Sequence, residues 1–129
     1  MIKVFTNGCF DVIHRGHIEL LQYCRKLGDI VIVGLNSDKS IKRLKGTTRP
    51  INHQEDRQAV LKALRYVDYV FVFEEDTPYD LIKTTNPDII VKGGDYTPSQ
   101  VVGNDLAKVK IFNYLEGYST TSILQRATE

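Results

Sequence analysis

The sequence predicts one α/β domain, residues 1–129, built on a doubly wound parallel sheet of five strands. Strand-like and helix-like segments alternate along the chain, an order typical of parallel sheets covered by helices on both faces. The segment Asp29–Leu35 is a nearly continuous apolar run, which indicates a strand buried on both faces. The 129 residues are enough for one domain and few for two.

The predicted strands are short apolar segments that end at polar or glycine-containing turns. They are Ile2–Phe5, Asp29–Leu35, Val67–Phe73, Pro87–Val91 and Val109–Phe112. In sheets of this Rossmann-like class, ligands bind beyond the carboxyl ends of the strands, where the winding direction reverses. Residues that follow the strands are therefore the first candidates for a functional site.

The predicted helices are marked by apolar spacing and by their terminal residues. The first carries an apolar stripe and should stop at Gly28. The second should begin after Asn52, with Glu55 completing a capping box. Thr77 as N-cap and Pro78 at the first position should open a third. The remaining helical features are the stripe Ile18, Leu21, Cys24 and Leu27, the apolar face Val60, Leu61 and Leu64, and a terminal helix beginning at Ser119–Thr121.

Composition excludes several classes of function. The formal net charge is +1, which offers no general attraction to nucleic acids or anionic membranes. No apolar run reaches the length of a membrane-spanning helix, and the first residues do not match a signal peptide. Cys9 and Cys24 fit neither a zinc pattern nor a disulfide framework, so a reduced, cytoplasmic protein is expected.

The segment after the first strand concentrates the candidate chemistry. His14 and His17 flank Gly16 at the start of a predicted helix, where free N–H groups and the helix dipole favour anions. Gly16 would permit close approach of a phosphate. A cap, a surface position or half of a metal site are the alternatives for such a histidine pair, and the residue types alone leave them open.

This segment resembles the cytidylyltransferase-like nucleotidyltransferases. His14-Arg15-Gly16-His17 is similar to their His-X-Gly-His signature, and Gly8 to Asp11 to the Gly-X-Phe-Asp element before it. Gly117-Tyr118-Ser119-Thr120-Thr121 resembles their Gly-X-Ser-Thr-Thr motif. The resemblance implies transfer of a nucleoside monophosphate from a triphosphate to a phosphorylated acceptor, with histidines that stabilise the departing pyrophosphate. Cys9 neighbours the site, but this reaction needs no thiolate.

Further polar residues are assigned from their places at strand ends and from the resemblance. The basic stretch Lys39–Arg49 is expected to form a loop over the phosphates, with Lys42 and Lys45 as contacts. Arg57 is a candidate for the acceptor phosphate, and Asp11 and Asp38 for acceptor hydroxyls or Mg²⁺. Mg²⁺ is expected to be bridged mainly by phosphate oxygens, with no protein ligand identified.

A longer set of blocks resembles one branch, the adenylyltransferase domain of the bifunctional heptose-phosphate kinase/adenylyltransferase. These blocks include Thr6–Asp11, Asn36–Asp38, Arg43–Gly46, Glu74–Pro78 and Val91–Tyr96. The resemblance implies ATP as substrate, D-glycero-β-D-manno-heptose 1-phosphate as acceptor, ADP-heptose for lipopolysaccharide or other surface glycans as product, and a homodimer. A separate chain is expected to supply the sugar kinase, since 129 residues leave no room for it.

The predicted site residues fall into three groups. The catalytic group is His14, His17, Lys45, Ser119 and Thr120. The nucleotide-binding group is Asn7, Gly8, Cys9, Phe10, His14, Gly16, His17, Lys42, Lys92, Gly94, Asp95, Gly117, Ser119, Thr120 and Thr121, and the acceptor-binding group is Asp11, Asp38 and Arg57. Two alternatives stand beside this reading: a glycerol-3-phosphate cytidylyltransferase, disfavoured because Tyr114–Gly117 lacks that family's arginine, and a non-catalytic nucleotide sensor.

Overall fold

A computed structural model of the chain describes residues 1–113 and Ala127. Its strands are β1 (Lys3–Gly8), β2 (Ile30–Asn36), β3 (Tyr69–Phe73), β4 (Ile89–Gly93) and β5 (Lys108–Phe112). Its helices are α1 (Arg15–Leu27), α2 (Asp38–Lys45), α3 (Gln54–Ala63) and α4 (Tyr79–Thr85), with a 3₁₀ turn at Pro98–Gln100. All strand pairs are parallel, in the order β3-β2-β1-β4-β5, which confirms the predicted doubly wound sheet.

Two apolar layers cover the two faces of the sheet. On one face, α1 and α3 pack their buried Leu20, Leu21 and Leu61 against strand residues that include Val4 and Val33. On the other face, Ile82 of α4 and Val101 pack against Phe5, Ile32 and Ile90. Strand side chains alternate between the faces, so the central strands need consecutive apolar residues where both layers cover them, as at Val4 and Phe5 in β1, along β2, and at Ile90 and Val91 in β4. This need explains the continuous apolar run that made β2 recognisable in the sequence.

Gly28 ends α1 where the sequence predicts, but for a packing reason. Its backbone is extended, with φ −158°, so it does not form a left-handed cap. A Cβ at this position would lie 2.7 Å from Val4 Cγ2 and 2.8 Å from the Ile2 carbonyl oxygen. Only glycine lets the chain turn from α1 into β2 this close to β1.

The basic stretch after β2 is a helix, which corrects the predicted loop. The Ser37 side chain accepts a hydrogen bond from the Ser40 N–H at 3.2 Å and caps α2. Ile41 is fully buried, and Gly46 leaves the helix with φ +101°. A helix with so few apolar residues gives almost no periodic signal, so the charged side chains dominated the prediction.

Two further helix starts differ from the prediction. His53, not Asn52, is the N-cap of α3, and no capping box forms there. The Asn52 side chain instead donates to the Asp11 carbonyl oxygen at 2.6 Å. Pro78 is the N-cap of α4, one position later than predicted for Thr77. Val60 belongs to no buried face, because its side chain is 47% exposed.

No helix within residues 1–113 is long and apolar enough to cross a membrane.

Candidate active site

The candidate site lies beyond the carboxyl ends of β1 and β4, the neighbouring strands at which the sheet reverses its winding direction. The chain leaves β1 through Gly8 and enters α1 at Arg15. Phe10 lies between them in the left-handed region, with φ +46°, and is 4% exposed. An ordinary residue held in that conformation is strained, so packing must fix this turn.

His14 and His17 form a reciprocal cap at the start of α1. His14 Nδ1 accepts from the Gly16 N–H at 3.1 Å, and His17 Nδ1 accepts from the His14 N–H at 3.2 Å. Their rings stack with centroids 3.8 Å apart. Because Nδ1 accepts in both rings, the Nε2 atom of each carries the proton and is the hydrogen-bond donor. The pair therefore caps α1, which the sequence left open as an alternative, and the cap also orients the two Nε2 donors.

His17 is held in its neutral form. Burial, together with the electrostatic effects of His14 and Lys45, lowers the pKa of His17 to about 3. The Phe10 ring, with its centroid 5.0 Å from that of His17, supplies part of the apolar surround. His17 thus contributes a neutral N–H donor at pH 7, and the positive charge of the site comes from elsewhere.

Two lysines supply that charge. Lys45 ends α2, and Lys92 lies near the end of β4. Burial lowers the pKa of Lys92, and the charge of Lys45 contributes in the same direction. Both lysines line a cavity of about 390 Å³, the phosphate cavity, with Asn7, Gly8, Cys9, Asn36, Leu44, Phe73, Asp76, Thr77, Pro78, Tyr96 and Val102. Two ammonium groups make this cavity suited to a polyphosphate.

The far wall of the phosphate cavity is braced by an ion pair. Arg43 Nε lies 3.0 Å from Asp76 Oδ1, and its Nη2 donates to the Glu74 carbonyl oxygen. These contacts join α2 to the loop between β3 and α4. They fix the end of α2 that carries Lys45.

A smaller chamber of about 190 Å³ adjoins the phosphate cavity. Asn7, Pro78, Lys92, Tyr96 and Val102 line both, and Gln100 and Val101 close the chamber. The Lys92 ammonium lies 5.0 Å from the centroid of the Tyr96 ring, a cation–π contact. Sequence reasoning predicted no role for Tyr96 or Gln100. The available signal was an aromatic residue two positions after a Gly-Gly pair at a strand end.

In the structure, two of the side chains predicted to bind the acceptor, Arg57 and Asp38, have partners within the protein. Arg57 is 2% exposed, and its guanidinium donates to the carbonyl oxygens of Asn52, Cys9 and Asn36 at 2.9, 2.8 and 2.7 Å. It also pairs with Asp38 at 2.8 Å. A guanidinium with these partners ties the exits of β1 and β2 to α3. The structure therefore places Arg57 and Asp38 in the framework of the site.

Asp11 is engaged in the same framework. It is 2% exposed, pairs with Arg49 at 2.7 Å, and accepts from the backbone N–H groups of Ile51 and Asn52 at 2.8 Å. Burial alone would raise its pKa, but the hydrogen bonds from Asn52, Ile51 and Arg49 outweigh burial and lower it. Asp11 and Arg57 line a cleft of about 330 Å³ beside α3, which contains neither Lys45 nor Lys92.

The other predicted residues divide between the site and its surroundings. Asn7, Gly8 and Cys9 line the phosphate cavity, whereas Lys42 and Asp95 are exposed and do not. Gly94 has φ +119°, and a Cβ there would lie 3.1 Å from the Tyr96 ring, so glycine allows that ring its position. The Gly16 N–H is used by His14. Gly117, Ser119, Thr120 and Thr121 lie outside the described residues.

Comparison with known proteins agrees with this geometry. The family model described as "Cytidylyltransferase-like" matches residues 5–126. The chain is 60% identical over 124 residues to the bifunctional protein HldE of a Nitratiruptor species, covering 95% of this chain and 27% of that protein. It is 57% identical to the bifunctional protein HldE of Wolinella succinogenes, covering 95% and 26%. The chain thus spans about a quarter of the length of these curated relatives.

Solved structures show the same fold. A lipopolysaccharide core biosynthesis protein from Thermoplasma volcanium superposes with a TM-score of 0.74 at 30% identity, covering 92% of this chain and 99% of that one. The pantothenate synthetase of Thermus thermophilus superposes with a TM-score of 0.64 at 17% identity, covering 98% of this chain and 67% of that one, and shows the fold alone. Together with the matched family model, these findings show that the chain belongs to the cytidylyltransferase-like family of nucleotidyltransferases.

Proposed function

We propose that this protein transfers AMP from ATP to D-glycero-β-D-manno-heptose 1-phosphate, giving ADP-heptose and pyrophosphate. The observation that carries the transfer is that Lys45 interacts electrostatically both with His17 of the cap that follows β1 and with Lys92 on β4. The identity of the acceptor is supported by the resemblance to heptose-phosphate adenylyltransferases, together with 52–60% identity to bifunctional HldE proteins.

The proposed reaction needs no protein nucleophile. A phosphate monoester is largely dianionic at neutral pH, because its second pKa is about 6. One of its oxygens forms a bond to the α-phosphorus of ATP. The bond from that phosphorus to the α–β bridging oxygen breaks, and the electron pair leaves with pyrophosphate. The barrier comes from bringing two anions together and from the charge on the leaving group.

The residues of the site address both difficulties. Lys45 and Lys92 offset the repulsion between the two phosphates and hold them in the cavity. His14 and His17 donate from Nε2 to the oxygens on which charge develops, and their cap hydrogen bonds fix both rings before substrate arrives. A neutral His17 attracts free anions in solution only weakly. Its hydrogen bond to the leaving pyrophosphate becomes stronger as negative charge accumulates there.

Mg²⁺ fits this site as an ion that is bound to the triphosphate. Within residues 1–113, no three His, Cys, Asp or Glu side chains come together as a metal site. The cationic side chains that line the phosphate cavity are Lys45 and Lys92, which suit phosphate oxygens. We propose that phosphate oxygens hold the ion, which would supply further charge neutralisation.

The proposal extends to the cellular setting. A sugar kinase must supply the acceptor, and the product would feed the synthesis of lipopolysaccharide or other surface glycans. The need for ATP supports a cytoplasmic location, and a homodimer is proposed from the resemblance to related transferases.

Pyrophosphate release tests the proposal directly. ATP and CTP are each offered with heptose 1-phosphate or glycerol 3-phosphate in the presence of Mg²⁺. Release with ATP and heptose 1-phosphate alone is expected. Release only with CTP and glycerol 3-phosphate would replace the proposed substrates, and no release from any pair would reject the proposed reaction.

A histidine variant tests the mechanism. His17→Ala should lower turnover about a hundredfold or more, since it removes a donor aimed at developing charge. His53→Ala is the matched control, because its side chain is 74% exposed and lies outside the cavity. Circular dichroism checks that both variants fold. Turnover within about threefold of the parent in a folded His17→Ala protein would contradict the mechanism.

A further inference from the structure

The side-chain amide of Asn36, the last residue of β2, is held in one orientation. Ser40 Oγ donates to the Ser37 carbonyl oxygen at 3.1 Å, so the proton of the Ser40 hydroxyl is already used. The hydroxyl can then only accept, and Asn36 Nδ2 donates to it at 3.3 Å. Because the amide nitrogen of Asn36 points to Ser40, the amide oxygen, Oδ1, points elsewhere.

That oxygen faces the phosphate cavity. Asn36 lies an even number of positions after Ile32 on β2, so both side chains are on the face of the sheet that α4 covers. Asn36 and Pro78, where α4 begins, both line the phosphate cavity. Within residues 1–113, no group donates to Asn36 Oδ1, and Thr6 Oγ1 is the only fully buried side-chain polar atom without a partner. Asn36 Oδ1 is therefore open to the cavity, although the residue is only 6% exposed.

An acceptor oxygen cannot bind a phosphate directly. Phosphate oxygens are themselves acceptors and carry few protons at neutral pH. Lys45 and Lys92, which line the same cavity, are the side chains that suit them. A substrate that displaced water from Asn36 Oδ1 without supplying a donor would lose affinity. A hydrogen-bond donor is therefore needed between this oxygen and the phosphates.

A water molecule on the Mg²⁺ of the nucleotide is the donor that fits this position. Mg²⁺ binds phosphate oxygens and retains several of its own waters. The charge of the ion polarises those waters, which makes each one a strong hydrogen-bond donor. At the phosphate end of a nucleotide, these waters are the O–H groups that can reach an acceptor on the wall of the cavity.

We infer that Asn36 is a positioning residue for the metal: its Oδ1 accepts a hydrogen bond from a water on the Mg²⁺ of the nucleotide and holds the Mg²⁺–triphosphate at the end of β2. The inference rests on the proposed function and deepens it. The ion keeps its phosphate ligands, so the contact needs no cluster of His, Cys, Asp or Glu side chains, and residues 1–113 contain none. Ser40 and Ser37 fix the amide before substrate arrives, which lowers the entropy lost on binding.

The effect of Mg²⁺ on nucleotide affinity tests the inference. Calorimetry on the full chain measures the Kd of α,β-methylene-ATP, which has no α–β bridging oxygen to cleave, with and without Mg²⁺. Asn36→Leu branches at the same carbon but lacks Oδ1. It should reduce the affinity gained from Mg²⁺ about tenfold, as for loss of an outer-shell partner of a metal, and leave the metal-free Kd within about twofold. Ser40→Ala is the matched control, because it breaks the same hydrogen bond and keeps Oδ1.

A second variant covers the case in which Asn36→Leu does not fold. Asn36→Asp keeps an oxygen and adds a negative charge, so it should increase the gain from Mg²⁺ several-fold, and a gain equal to that of the parent would overturn the inference. Equal losses in Asn36→Leu and Ser40→Ala would show a structural role and also overturn it. So would an unchanged gain in folded Asn36→Leu with weaker binding of heptose 1-phosphate, which would place a sugar hydroxyl on Oδ1. A parent that shows the expected contrast without releasing pyrophosphate would reject the proposed function alone.

Discussion

Acidification tests whether His17 is buried in its neutral form. In the folded protein, burial lowers the pKa of His17 to about 3, with the charges of His14 and Lys45 as further causes. In the unfolded chain, its pKa returns to about 6.5. The unfolded state therefore binds a proton as the pH falls below 6.5, while the folded state resists it until the pH nears 3. The stability of the native protein should decrease across this window.

The expected size follows from the two pKa values. Between pH 7 and pH 4.5, a group with these values lowers the free energy of unfolding by about 2.5 kcal/mol. The His17 ring is partly exposed, and solvent screening reduces the effect. A loss in the free energy of unfolding of about 1.5 kcal/mol is therefore the smallest that agrees with a buried neutral histidine. Asp11 contributes little in this window. Its lowered pKa gives stability that is present above the usual 3.8 and is lost only below it.

Urea denaturation of the parent and of His17→Gln at both pH values measures the effect. Glutamine can accept the hydrogen bond from the His14 N–H but does not titrate, so the stability of the variant relative to the parent should rise by about 1.5–2.5 kcal/mol at pH 4.5. His53→Gln should follow the parent, because that side chain is 74% exposed. A stability difference between parent and His17→Gln that is the same at both pH values, within about 0.5 kcal/mol, would refute the buried neutral histidine.

Three further predictions concern the framework around the site. Arg57→Met should lower the free energy of unfolding by about 3 kcal/mol or more, because it leaves Asp38 and three carbonyl oxygens without their donor; a urea-derived loss below about 1 kcal/mol would contradict this. Gly103→Ala should destabilise more than Gly46→Ala in thermal melts. Both glycines have positive φ, but only at Gly103 would a Cβ meet other atoms, Ile90 Cδ1 at 2.8 Å and Ile82 Cδ1 at 2.9 Å, so equal losses would show that crowding is unimportant. Arg43→Asp should lower kcat several-fold, and the double variant that adds Asp76→Arg should recover most of it if the ion pair positions α2. Because the pair is exposed, the stability of either variant should change by less than about 1 kcal/mol.

The sequence was informative where structure is local. The His14–His17 cap depends on residues three apart at one helix start, so its geometry was implicit in the motif. The sheet was predictable because central parallel strands must be apolar on both faces. α2 was missed because its burial rests on Ser40 and Ile41, too few residues to give a period among so many charges.

The surroundings of the polar residues could not be predicted from the sequence, because they depend on contacts between distant parts of the chain. Asp11 follows the first strand and Arg57 lies in the first turn of a predicted helix, and residue type alone gives no sign that both are 2% exposed. Their partners lie far along the chain: Arg49 is 38 residues from Asp11, and the carbonyl of Cys9 is 48 residues from Arg57. Tyr96 shows the converse, since the small chamber that it lines forms only where Pro78 and residues 100–102 meet the end of β4.

The buried ionic framework and the binding groups depend on each other physically. The phosphate cavity brings Lys45 and Lys92 together, and these two charges repel each other when the cavity is empty. The repulsion is visible in the lowered pKa of Lys92, to which the charge of Lys45 contributes after burial. Rigid support is needed to keep such groups together before substrate binds. Arg57 supplies it by holding the carbonyls of Cys9 and Asn36, so the exits of β1 and β2 cannot separate under that repulsion. The hydrogen bonds of Arg57 thus help to keep these cavity walls in place before a substrate binds.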